Sequence, residues 1–174
     1  MIRHHQDTVK EGLVSGLLGG TAVAVWFLVL DVIAGRAFYT PSVLGQVVVF
    51  RNVEPVTTGL DIPAILAYTA VHFIAFIAFG LVVATLMRLA TDQPYFRIAI
   101  LILLVTFEFF FAFFMLMLSE ITKQAFPFWV VLTANGLAII SMGIYFYRKH
   151  PALIKALRQV PLGTIPDEHE PNRM

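Results

Sequence analysis

"IAILILLVTFEFFFAFFMLML", residues 98–118, holds a single charged side chain, Glu108, in the middle of an apolar and aromatic run. Spanning the hydrocarbon of a bilayer takes about 20 apolar residues in a helix. This run is long enough, so it reads as a membrane span that carries an acid. The aromatic block Phe107, Phe109, Phe110, Phe111, Phe113 and Phe114 surrounds that acid on all sides.

The flanking sequence has the same character. Residues 12–30, 64–87 and 125–147 are almost free of charge. The whole chain has 174 residues, 59% hydrophobic and only 13% charged. A soluble domain carries about twice that charge fraction. The mean hydropathy of +0.82 leaves more apolar surface than a water-soluble domain of this size can bury. The expected fold is therefore an all-α integral membrane protein. Four transmembrane helices, at about 10–33, 63–89, 95–119 and 127–148, form an antiparallel bundle within residues 1–150. The first apolar run is longer than a signal-peptide core and no clean small-x-small cleavage site follows it, so it reads as a retained helix.

Between the first two spans lies the longest connector, 34–62. Gly35 is a candidate C-cap, and Thr40 a candidate N-cap with Pro41 at the first helical position. The next apolar stretch, 41–50, is too short to span, and predicts an interfacial or re-entrant helix. Asp61 is placed to cap the second span. Residues 151–174 read as a tail, with a short basic amphipathic stretch and then proline-interrupted irregular chain.

An even number of spans puts both termini on one side. That side collects Arg3, Lys10, Arg88, Arg97, Arg148, Lys149, Lys155 and Arg158, whereas the other holds Arg36, Arg51 and Lys123. Positive charge stays on the cytoplasmic side. The expectation is a multi-pass protein of the bacterial inner membrane with both termini cytoplasmic.

Each span carries a polar group. Counting along the helices puts His72 and Asn135 roughly 13 Å from the outer end, and Glu108 roughly 16 Å. Buried polar groups in a membrane normally face the bundle interior and find partners. The sharpest expectation is a cluster of His72, Glu108 and Asn135, with a direct Glu108–His72 contact. Asp31, Arg36 and Asp61 form a second, shallower polar set on the outer side, where Asp31 meets Arg36, Arg51 or water. Three roles for the cluster stay open: a staple fixing helix register, a polar cavity for a small ligand, proton or quinone-like head group, and a metal or haem centre. Gly12, Gly16, Gly20 and Ala24 recur every fourth residue and make a small-residue packing stripe, inside the chain or between copies.

The chain has no cysteine, which excludes disulfides, cysteine-ligated clusters and cysteine nucleophiles. One buried histidine is too few for a b-type haem pair, and His4, His5, His150 and His169 belong to cytoplasmic segments. No metal ligand set, cofactor motif, hydrolase elbow or nucleotide-binding fingerprint is present, and the basic residues are too sparse for nucleic acid. The stretch "FLVLDVIAGRAFYTPSVLG", residues 27–45, is the most signature-like, but only as a defined exit into the connector. The expected function is that of a non-catalytic accessory, assembly or self-associating subunit. Its partners are the lipid bilayer, a second copy or another membrane subunit, and a small hydrophobic ligand. The alternative is a small transporter or ligand-binding protein using Glu108 and His72.

Overall fold

The computed structural model describes residues 2–92, 96–122 and 127–151. Of the turns expected at 91–94 and 120–126, residues 91–92 continue α3 and 120–122 continue α4, while 93–94, 123–126 and the tail beyond 151 lie outside the described residues. Within them every regular element is helical. The order is α1 (Ile2–Ile33), α2 (Tyr39–Leu44) running into a π-helical turn (Gly45–Val49), α3 (Ile62–Asp92), α4 (Phe96–Thr122) and α5 (Phe128–Lys149). α1 starts well before Lys10, so the polar N-terminal stretch continues the first helix. Among the described residues three segments, Asp7–Ile33, Ile62–Ala90 and Trp129–Lys149, are long and apolar enough to cross a membrane, and α4 contributes the shorter apolar stretch Ile98–Phe114. These lengths and compositions point to a membrane-embedded protein.

Glycine decides how the helices meet. α1 and α3 have the most extensive contact in the molecule. Gly12 faces Leu81, Gly16 faces Phe76 and Ile77, and Gly20 faces Phe73 and Phe76. A β-carbon on Gly16 would stand 2.5 Å from the Phe76 carbonyl oxygen, and one on Gly80 would run into the Gly12 carbonyl. The two backbones touch where neither has a side chain, the close approach through which membrane helices gain dispersion energy without a hydrophobic driving force. The small-residue stripe is thus used inside the chain. Ala24, its last member, is exposed beside the cleft described below.

As numbering rises on α1 it falls on α3. The same holds for α5: Glu11 meets His150, Gly19 meets Met142, and Trp26 Nε1 donates to the Val130 carbonyl at 3.1 Å. α1 therefore runs opposite to both α3 and α5. α4 packs on α3 and α5. The central core joins Val23, Phe76, Ala134 and Ala138, and a second cluster joins Val83, Ala84, Met142 and Phe146. Large apolar side chains such as Ile33, Leu66, Ile74 and Phe109 point outward. Hydroxyls along the helices satisfy themselves locally: Thr69, Thr85, Thr133 and Ser141 each donate to the carbonyl four residues back.

The connector departs from expectation in how it starts. Gly35 does end α1 in the left-handed region, at φ 71°. The cap residue of α2, however, is Phe38, also left-handed at φ 63°, and the helix begins at Tyr39. Thr40 and Pro41 sit inside its first turn, and Thr40 is held by Asp31. The segment packs on the start of α3, with Tyr39, Thr40, Ser42, Val43, Leu44, Gly45 and Gln46 buried. Gly45 sits so close to Ala64 that any β-carbon would collide with the Ala64 carbonyl. Asp61 caps α3 as expected, its Oδ1 accepting from Ala64 N at 3.0 Å.

Candidate functional site

Two polar constellations sit in the helical body, and they are separate. The first surrounds a cleft of about 220 Å³ between α1, α2 and α3. Its apolar walls come from Val23, Ala24, Phe27, Leu28, Phe38 and Phe73, and its polar groups from Thr40, Tyr68, Thr69 and His72. The volume exceeds the roughly 150 Å³ of a cavity that takes up benzene. Mostly apolar walls with a few fixed polar groups are the usual make-up of a small-molecule site.

Several of these polar groups are held from behind. Asp31, 4% exposed at the end of α1, accepts from Thr40 N and from Thr40 Oγ1, both at 2.7 Å. Its own carbonyl accepts from Arg36 N at 2.9 Å. Asp31 therefore meets neither of the expected arginines through its carboxylate; it ties the start of α2 to the end of α1. The Arg36 guanidinium instead stands 3.9 Å over the Tyr39 ring. His72 Nε2 donates to the Gly20 carbonyl at 3.0 Å, which fixes the ring on α1 and leaves Nδ1 as the acceptor. The ring is flanked by Tyr68, one turn back, and by Phe73 and Phe76. Gln46 locks the loop above: its Oε1 accepts from Val56 N at 2.8 Å, and its Nε2 donates to the Val56 carbonyl at 3.2 Å. Ser42 Oγ accepts from Asp61 N at 3.1 Å. The outer-side set expected from the sequence is thereby divided: Asp31 and Asp61 brace α2 and α3, and Arg36 stacks on an aromatic ring.

The second constellation is Glu108 with Asn135, between α4 and α5. The Glu108 carboxyl lies within reach of the Asn135 side chain. No well-formed hydrogen bond joins them: both carboxyl oxygens and Asn135 Nδ2 are shielded and lack a partner among the described residues. The expected Glu108–His72 contact is not made, because His72 is turned toward Gly20 on the α1 side of α3. The ring of Phe107, the residue before Glu108, stacks on Phe79 with centroids 4.0 Å apart.

Tyr68, Thr69 and Thr40 are cleft residues that sequence reasoning did not assign to a site. Tyr68 stands four residues before His72, a spacing that puts two side chains on one helix face, so a signal for it exists in the sequence. Nothing in the sequence pairs Thr40 with Asp31 across the Gly35 turn. Among the described residues no three His, Asp or Glu side chains converge as metal ligands do. Comparison of the chain with protein-family models, curated proteins and solved structures gave no match.

Proposed function

We propose that this chain is a four-span protein of the bacterial inner membrane that works by binding rather than by catalysis. As an accessory or assembly subunit, it holds an apolar, lipid-like molecule in the α1–α2–α3 cleft. The observation that carries this reading is the cleft itself: apolar walls, an opening beside exposed apolar helix faces, and a lining histidine whose Nε2 is used on Gly20, leaving Nδ1 as the acceptor for a small polar head.

Four spans are supported by helix direction. α3 and α5 both run opposite to α1, so the chain must return across the molecule between them, and α4 is the element that connects them. The Glu11–His150 pair, at 2.9 Å, keeps the two terminal helix ends together. Arg88, Arg148 and Lys149 cluster at that end, which supports its cytoplasmic placement.

Native mass spectrometry of the protein released from a mild detergent tests the binding. The expected result is a lipid-sized mass retained by the wild type and lost in Ala24→Phe, a substitution that fills the cleft from an exposed helix position. Equal retention by both proteins, at equal thermal stability, would remove the cleft as the site.

A further inference from the structure

The Glu108–Asn135 constellation lies outside the cleft, and its role is independent of the binding proposed there. Three polar atoms, Glu108 Oε1, Glu108 Oε2 and Asn135 Nδ2, are shielded together without hydrogen-bond partners among the described residues. Asn135 is 2% exposed. Shielded polar atoms lacking partners are rare in native proteins, and three in one place call for an occupant. A carboxylate at bilayer depth makes the demand stronger, since an unpaired charge there is costly.

One proton meets the whole demand. A protonated Glu108 donates its O–H to Asn135 Oδ1, and Asn135 Nδ2 donates to the other carboxyl oxygen. Both hydrogen bonds close a planar acid–amide ring, no charge remains, and all three atoms are satisfied. A metal cation does less well. It would bind the oxygens but leave Nδ2, a donor, without an acceptor. We propose that Glu108 and Asn135 form a reversible proton-binding site between α4 and α5, closed as a two-bond acid–amide ring when occupied.

Among the described residues no other ionisable group competes for this proton. On α3 the titratable or charged side chains are Tyr68, His72, Arg88 and Asp92. His72 is bonded to Gly20, and Arg88 lies nine residues beyond Phe79, whose ring stacks on Phe107 beside Glu108, or about 13 Å along the helix. On α5, Tyr145 is ten residues beyond Asn135, about 15 Å away along the helix, and Tyr147, Arg148 and Lys149 are farther. Arg97 and Glu120 are near opposite ends of α4. Aromatic rings lie nearby: Phe107, next to Glu108 in the chain, contacts Phe111 on α4 and Phe76 and Phe79 on α3.

Infrared spectroscopy of the full-length protein in lipid nanodiscs, titrated with acid and base, reads the site directly. The expected result is a carbonyl band of a protonated carboxyl at neutral pH that disappears reversibly in alkali. Glu108→Gln, whose amide can still pair with Asn135, should remain folded and lack the band. Asn135→Leu should keep the band but move it to higher frequency, because the carbonyl loses its amide donor. Dicyclohexylcarbodiimide, an apolar reagent that adds to protonated carboxyls, should attach once per chain at Glu108, unhindered by sodium chloride. A wild type without the neutral-pH band would overturn the proposal in favour of an ionised, hydrated carboxylate. Protection from the carbodiimide by sodium would replace the proton site with a cation site, and an unshifted band in Asn135→Leu would remove the ring.

Discussion

Asp31 shows how much a single side chain decides. Its carboxylate accepts from both the Thr40 amide and the Thr40 hydroxyl, and all these groups are buried. Asp31→Ala strands two donors and should destabilise the fold by about 2–4 kcal/mol, since each unsatisfied buried group costs about 1–3 kcal/mol and relaxation recovers part. Asp31→Asn retains an acceptor oxygen and should cost less than half as much. Reversible unfolding in mixed micelles would measure both; equal losses would mean that charge, not acceptor geometry, holds Thr40. The Glu11–His150 contact belongs at the other extreme. Its side chains are 19% and 25% exposed, and it is an ion pair only while His150 is protonated. His150→Gln should cost under about 1 kcal/mol in the same assay.

Among the elements, the α1–α3 pair and the α2 platform are the contacts with no room to adjust. Gly16 and Gly80 meet backbone to backbone, so an added side chain cannot rotate out of the way. Gly80→Val should separate the helices and lower stability by about 3 kcal/mol or more, at the upper end of the cost of overpacking. Gly136, where a β-carbon meets nothing within 4 Å, provides the control: Gly136→Ala should be neutral or slightly stabilising, because alanine favours the helix by up to about 1 kcal/mol. Thermal unfolding in detergent separates the two. Gly45→Ala tests the platform. It drives a methyl into the Ala64 carbonyl, so α2 should lift from α3 and the connector should become sensitive to brief proteolysis. A connector as resistant as the wild type's would mean that the hydrogen bonds of Asp31, Ser42 and Gln46 hold α2 without the Gly45–Ala64 contact.

For the whole molecule the consequence is topology, and the absence of cysteine makes it simple to probe. A cysteine placed at Thr58, in the exposed connector, should react with a membrane-impermeant maleimide in spheroplasts, where the outer face of the inner membrane is open to the reagent. One placed at Lys149, at the exposed end of α5, should react only after the inner membrane is opened. The reverse pattern would invert the proposed orientation. Much of this architecture is legible in the sequence, because helix length and apolar content follow from composition, and because Gly35, Asp61 and Pro127 mark helix ends through purely local constraints. The positions of His72, Glu108 and Asn135 along their helices are legible too, since helical rise is constant. Their partners are not. A hydrogen bond needs the right azimuth as well as the right depth, and azimuth depends on which neighbour each helix face receives. Gly12, Gly16 and Gly80 bring α1 against α3, which turns His72 toward Gly20; α4 packs on α3 and α5, which brings Glu108 to Asn135. The sequence by itself determined a helical, membrane-type chain with polar groups at given positions along its helices. Only tertiary structure decided that they fall into two separate groups, because side-chain direction around a helix is fixed by packing and by nothing local.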